Sequence, residues 1–493
     1  MSRRWAAGAW GFVLALVLAG SGAGCSSAPP PATSAPARAI ATWADLPPAE
    51  RAFLDTLEEK TFRFFWETTD AKTGLAPDRW PAKSFVSVGA VGFALTAYPI
   101  GAERGYVTRA QAAARTRATL AWFVAARQDT ARAGATGYKG FFYHFLDPVT
   151  GHRFETVELS TQDTAMLLAG ALFCQSYFDR AGDADEVAIR ALAESLAAGA
   201  DWRWAQVRPP TIALGWHPES GHLPYDWRGY NETVILHILA LGSPTHAVTT
   251  DTWRAFVAGY RWGSFEGQDY LGFAPLFGHQ YSHVWIDFRG IRDSTMRARD
   301  LDYHENSRRA TLAQRAYAVR NPGKFRGYGA DLWGLTACDG PLDTVMVRDG
   351  RSIHFHTYNA RGACFTQVED DGTIAPTAAG GSIPFAPEVT VPALLAMRRK
   401  YGPPLFGQYG FVDALNPTYD AAPGRVQHGQ VVPGVGWFDT DYLGIDQGPI
   451  LAMIENHRSG LVWRTLRKNP HIIRGLRKAG FTGGWLDQAG EVR

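Results

Sequence analysis

Cysteine is scarce in this chain: there are four in 493 residues, none in a CxxC pair and none at the Cys/His spacing of a zinc site. That excludes a disulfide framework and a structural zinc centre, although one bridge among Cys174, Cys338 and Cys364 stays open. Excess charge is also missing. Lys and Arg number 49 against 47 Asp and Glu, a net +2, without the clustered basic residues that a nucleic-acid surface needs. Nucleic acid is therefore not an expected partner. Apolar runs of bilayer-spanning length are absent, and Trp10 to Ala19 near the N-terminus is too short to span a bilayer comfortably. Alternating, strand-like segments are few, the best being around Val345 to Val368.

What is present begins with the pair Arg3 and Arg4, the apolar run, and then Gly22, Ala23, Gly24 and Cys25. Residues 1–24 read as a secretory signal. Small residues leading into a Cys resemble the lipobox of bacterial lipoproteins, which makes Cys25 the expected lipidation site. Residues 25–42 are a Pro/Ala/Ser-rich tether that cannot bury enough apolar surface to fold. Residues 43–493 then form one large domain, with no second linker of similar composition. The expectation is an exported monomer, periplasmic or anchored to the outer membrane, that meets the membrane only through Cys25.

Helical patterns recur at about 47–69, 86–99, 108–128, 160–180, 184–203, 228–241, 249–260, 301–319, 330–337, 386–400, 444–457 and 459–481, the last broken at Pro470. The stretch ELSTQDTAMLLAGALFCQSYFDR (Glu158 to Arg180) is apolar almost without pause from Ala165 to Cys174, so its helix belongs inside a ring of others. TRAQAAARTRATLAWFVAARQD (Thr108 to Asp129) is amphipathic, as an outer helix is. Roughly twelve helices fit six hairpins closed into a double ring. The predicted class is all-α, an (α/α)6 barrel with a small β-rich insertion.

Two acids open buried helices, where an inner helix can keep polar groups only at an open end of the core. Asp163 stands three residues after Ser160, the outline of a capping box. Glu232 in YNETVILHILALGSPTH is placed in the first turn of its helix, where the macrodipole favours a carboxylate. Tyr230 and Asn231 beside it supply the aromatic and polar company of a sugar site. Hydrolysis of a glycosidic bond needs two carboxyl groups at one cleft, and the 17 Trp supply flat faces suited to sugar rings as well as to cores. Glu232 and Asp163 are the catalytic candidates, unassigned between acid and base.

The Glu232 stretch, together with PLFGHQYSHVWIDFRG (Pro275 to Gly290), DYHENSRRAT (Asp302 to Thr311), YGADLWGLTACDGP (Tyr328 to Pro341), DGTIAPTAAGGSIPFAPE (Asp371 to Glu388) and LGIDQGPILAMIENHRSGLVW (Leu443 to Trp463), resembles the glycoamylase-like domain. It is similar to the bacterial endo-β-1,2-glucanases of glycoside hydrolase family 144, over roughly Pro47 to Phe481. The resemblance implies an (α/α)6 barrel that hydrolyses β-1,2-glucan with inversion, without cofactor or metal. In that branch the inner helix opens Asp-x-x-Glu-Thr-Ala, and Tyr-Asn-Glu supplies a further acid. Here Asp163, Thr164 and Ala165 match the former, Glu232 the latter, and Ser160 replaces the first aspartate. A hydroxyl cannot act as acid or base near neutral pH, so Glu158 or another acid takes that role, or the role has changed.

Asp287 and Asp446 are further acid candidates beside Glu158. His283, Trp285, Asp287 and Arg289 alternate, so an extended backbone would place them on one face to bond hydroxyls and stack a ring. Tyr303, Asn306, Gln447, Tyr230, Asn231 and Ser160 complete the expected substrate contacts. Two rival readings remain: a polysaccharide lyase that uses Tyr303, His304, Asn306 and Arg308, and a glycan-binding lipoprotein without catalysis.

Overall fold

A computed structural model describes residues 42–348, 350–420 and 426–490. The expected signal, Cys25 and all but the last residue of the tether lie outside them. Helices α1 (Pro48–Thr68), α2 (Val88–Arg104), α3 (Arg109–Ala125), α4 (Thr161–Tyr177), α5 (Ala184–Gly199), α6 (Val234–Gly242) and α7 (Thr250–Val257) come first. They are followed by α8 (Tyr281–Trp285), α9 (Ser294–Arg297), α10 (Tyr303–Arg320), α11 (Pro376–Gly380), α12 (Pro387–Tyr401) and α13 (Gly444–Arg458). Three more, α14 (Leu461–Leu466), α15 (Pro470–Lys478) and α16 (Gly484–Gln488), end the described chain.

Burial alternates along this order and defines two rings. The inner helix α4 buries 14 of its 17 residues, and α6, α8 and α11 bury every one. The outer helix α3 buries 6 of 17, on one stripe. The inner ring is α2, α4, α6, α8, α11 and α13, and the outer is α1, α3, α5, α7, α10 and α12. Local chemistry starts these helices where the sequence supplies a cap. Ser87 and Ser160 accept from the backbones of Ala90 and Asp163, Asp183 caps α5, and Thr108 with Gln111 forms a capping box on α3.

Helices α2 and α4 touch backbone to backbone. A Cβ on Gly170 would lie 2.3 Å from the Gly92 carbonyl oxygen, and one on Gly92 would lie 2.3 Å from that of Met166. The break in the apolar run at Gly170 is thus a packing requirement. At the far end of the barrel, α14 and α15 cross beneath the inner ring. Asn469 donates to Ser176 Oγ (2.9 Å), Trp463 Nε1 donates to the His283 carbonyl (2.6 Å), and α15 packs on α6 at Gly475. That end is closed, and the N-termini of the inner helices face the other.

Two expectations need correction. Residues 330–337 form no helix, because Gly334 takes a φ of +135° and Gly329 pairs with Leu332 in a tight bridge. The short inner helices α8 and α11 complete the ring instead. The insertion hairpin is present, Thr344–Arg348 pairing antiparallel with Arg351–Phe355. A five-stranded sheet, Gly137–Tyr138, Phe141–Tyr143, Leu159–Ser160, Gly215–His217 and Gly221–His222, stands at the open end without having been foreseen.

Candidate functional site

The sheet delivers the first group of functional side chains. Strand Leu159–Ser160 runs directly into α4, so Ser160 is both the last strand residue and the helix cap. Its Oγ accepts from the Asp163 N–H (3.1 Å) and donates to Asp163 Oδ2 at 2.5 Å. The neighbouring strand Phe141–Tyr143 presents His144, whose N–H bonds the Glu158 carbonyl and whose carbonyl accepts from Val88 at the start of α2. The His144 ring lies between two carboxylates, with Nδ1 2.8 Å from Glu158 Oε1 and Nε2 3.5 Å from Asp163 Oδ2. Burial alone would lower its pKa, but those two carboxylates outweigh it and raise the imidazole to about 9. His144 is a cation at neutral pH. Burial pushes Glu158 up, and the His144 charge more than offsets this, so Glu158 falls below its ordinary range. Glu158 is therefore the partner of His144 and a poor proton donor. Asp163 Oδ1 lies over Gly89, where a Cβ would come within 2.7 Å of it.

Glu232 stands before α6. The helix starts at Val234 with Thr233 at its cap, and Asn231 Oδ1 accepts from both the Thr233 N–H and its hydroxyl. The expected first-turn placement is thus off by a short loop. The Glu232 carbonyl accepts from Ser282 Oγ (2.7 Å) and Gln162 Nε2 (3.4 Å), which ties the residue to α8 and α4. Glu232 is half-buried, and protein surrounds its carboxyl. Desolvation, supported by the Asp163 charge, raises it to about 7, and no cation opposes the shift. Tyr281, at the start of α8, feels the charges of Asp446, Glu232 and Asp163 together, so these three acids share one end of the barrel.

Beside them lies a second acidic group, built around Arg79. Its guanidinium bonds Asp339 Oδ2 (2.6 Å) and lies 3.4 Å from Asp78 and 3.6 Å from Asp441. Asp413 bonds the Asp339 N–H at 2.6 Å, and Asp439 bonds the N–H groups of Thr440 and Asp441. Burial first, then their acidic neighbours, push Asp413 and Asp439 above the usual carboxylate range. Burial also raises Asp446, despite a bond with Asp413 that acts the other way. One oxygen each from Asp339, Asp413 and Asp439 falls within 4.8 Å of the others, a set that a metal ion can share.

Other expected residues are not brought to this cleft. His283 to Trp285 belong to α8 and do not form a strand. His283 bonds Ser307, and Trp285 donates to Thr96 and stacks on Phe93, both inside the core. Asp287 lies beyond the C-terminus of α8, away from the cleft, held by Arg289 and Arg467. Tyr303 bonds Tyr260 and Asp293, and Asn306 bonds both main-chain groups of Leu271, so neither offers a sugar a free group. Tyr230 is packed between His279 and Tyr303. Gln447 adjoins Asp446, but its amide donates to the Phe411 carbonyl. Sequence reasoning missed His144, Arg79 and Asp339, Asp413 and Asp439. None sits at a diagnostic spacing.

Comparison with known proteins agrees with this architecture. The sequence pattern of the family Glycoamylase (Putative glucoamylase) matches residues 224–470. A Bacteroides fragilis structure of the same description superposes with a TM-score of 0.74 at 30% identity, covering 88% of this chain and 98% of that one. The endo-β-1,2-glucanase from Chitinophaga pinensis, solved with sophorotriose and glucose, gives a TM-score of 0.74 at 27% identity over 88% of this chain and 99% of that one. The exo β-1,2-glucooligosaccharide sophorohydrolase (non-reducing end) of Parabacteroides distasonis is 27% identical over 469 residues, 88% of this chain, and the chain spans 58% of that relative's length. In sequence pattern and in fold, with its inner helices opening on a common acidic cleft, the chain belongs to the glycoamylase-like family.

Proposed function

We propose that the protein is a glycoside hydrolase acting on β-1,2-glucan, with Glu232 as general acid and Asp163 as general base. The observation that carries this reading is the Glu232 carboxyl, raised to about 7 by enclosure beside Asp163 and without a cation to hold it ionised. A general acid must keep its proton near neutral pH, and a carboxyl raised to about 7 keeps it in about half of the molecules there. Asp163 receives the Ser160 hydroxyl and faces the His144 cation, the donors that suit a carboxylate acting as base. Charged His144 and Glu158 orient Asp163, and Ser160 fixes its rotamer. The two relatives that bear β-1,2-glucan names support the substrate, and the family resemblance supports inversion.

The lyase reading loses its parts list. Tyr303 and Asn306 are engaged within the core, and Arg308 pairs with Glu388 and the Phe385 carbonyl. Incubation with β-1,2-, β-1,3-, β-1,4-, mixed-linkage and α-glucans tests the proposal, products being resolved by chromatography and the first-formed anomer by NMR. Release of reducing ends from β-1,2-glucan alone, abolished in Asp163→Asn and Glu232→Gln, is the expected result. Binding without release would establish the non-catalytic alternative, and near-normal turnover in either variant would remove that residue from its role. Export and lipidation at Cys25 complete the proposal, and rest on the run Trp10 to Ala19 and the small residues before Cys25. Loss of fatty-acid labelling in Cys25→Ser tests the anchor.

A further inference from the structure

We propose that Asp339, Asp413 and Asp439 form a site for a hard divalent cation of the calcium class. The three carboxylates share one pattern. Asp339 Oδ2 accepts from Arg79, Asp413 Oδ2 accepts from the Asp339 N–H, and Asp439 Oδ1 accepts from the Thr440 and Asp441 N–H groups. The opposite oxygen of each, Asp339 Oδ1, Asp413 Oδ1 and Asp439 Oδ2, is buried and receives no N–H or O–H from a basic or neutral group, the remaining contact of Asp413 being with the carboxyl of Asp446. Each side chain is thus oriented by a protein donor while its second oxygen is left for something else. The three residues are at most 1% exposed, so bulk water does not solvate those oxygens.

A fourth carboxyl adjoins the group from a different element. Asp446 on α13 is 4% exposed, bonds the Asp413 carboxyl, and has no basic group to neutralise its Oδ2. Positive charge within the protein does not answer this concentration. Among the described residues Arg79 is the cation bonded into the group, alongside six carboxyls: Asp78, Asp339, Asp413, Asp439, Asp441 and Asp446. The nearby Arg361 is held by both oxygens of Asp371 and turns its remaining nitrogen to the Cys338 carbonyl.

Ligand chemistry selects the ion. All donors are carboxylate oxygens, with no His or Cys, which suits calcium or magnesium over zinc or copper. Oxygens bound to one calcium at about 2.4 Å stand at most about 4.8 Å apart, and one oxygen from each of the three aspartates falls within 4.8 Å of the others. The ion would join the turn after Ala337–Cys338 to the antiparallel pair Leu415–Asn416 and Gly436–Phe438, beside the start of α13. The inference does not depend on the hydrolytic reading.

The test uses the whole protein, stripped with EDTA and dialysed into metal-free buffer. Calorimetric titration with calcium chloride is expected to show one saturable site per chain and a rise in Tm, with weaker binding of magnesium chloride. Asp413→Asn and Asp439→Asn should each weaken calcium binding at least about tenfold, as loss of a charged oxygen ligand does. Terbium luminescence sensitised by Trp437, two residues from Asp439, reads the same site in wild-type protein if a variant fails to fold. No saturable binding at roughly 10 mM of either ion, above the 10⁻⁴–10⁻³ M of weak calcium modules, would overturn the proposal and leave shared protons as the neutralising charge. Unaltered affinity in both variants would overturn it as well.

Discussion

The two ends of the barrel each hold a carboxyl that the protein encloses, and they treat it in opposite ways. At the closed end Asp287 is desolvated, but hydrogen bonds from Arg289 and the charge of Arg467 more than reverse that effect and hold it below its ordinary range. At the open end Glu232 is desolvated too, faces no guanidinium, and rises to about 7 beside another acid. Burial therefore does not decide protonation; the partners do. The closed end uses a carboxylate to join the α8 exit to α14, whereas the open end withholds that compensation, as the proposed general acid requires.

The contrast can be broken from either side. Glu232→Gln removes the open-end acid and is expected to lower kcat on β-1,2-glucan by about 10²–10⁴-fold with the fold retained by circular dichroism. Asp287→Asn leaves Arg289 and Arg467 facing a neutral amide and is expected to cost about 2–3 kcal/mol in a denaturant titration, at the low end for a buried pair because both arginines reach solvent. Activity per folded molecule should stay unchanged.

Titration sharpens the comparison further. A carboxyl raised from 4.5 to about 7 disfavours the folded state progressively as pH climbs through that window. Wild type and Glu232→Gln should melt together below pH 4.5, and above pH 7 the variant should be the more stable by about 1–3 kcal/mol, discounted for solvent in the cleft. Turnover of the wild type should fall as pH rises through 7. His144 has the opposite sign: its pKa is raised above 6.5, so its contribution is complete below that pH and lost as pH rises through about 9. The smallest effect is Ser160→Ala, expected to cost about 1 kcal/mol as a lost cap. A fall in kcat in that variant, without an equal rise in KM, would show that the hydroxyl also orients Asp163.

Much of the ring was legible because its inner helices are long and apolar on every side, as the Ala165 to Cys174 run is. α8 and α11 were not, since five residues are too few to show a period. Their neighbours Gly278 and Gly381 instead mark places where Phe273 and Gln280 crowd the backbone. Asp163 and Glu232 could be singled out because each stands at the start of such an apolar helix, yet the local phase misplaced Glu232, whose loop is set by Asn231 accepting from Thr233. His144 sits in FFYHFL with no companion in sequence, and its role comes from Glu158 and Asp163 across a strand pair. The aspartates around Arg79 are spread from Asp78 to Asp446, so only the closed ring reveals them as neighbours.

The joint at Ser160 has a consequence for how the proposed activity can change. One residue ends a strand and begins a helix, so a shift in the register of that strand is transmitted without slack to Asp163, three positions on. The outer hairpin Gly215–His217 and Gly221–His222 ends at an edge with no such attachment. Sequence variation has room there, at the rim, while the hinge between sheet and barrel stays fixed.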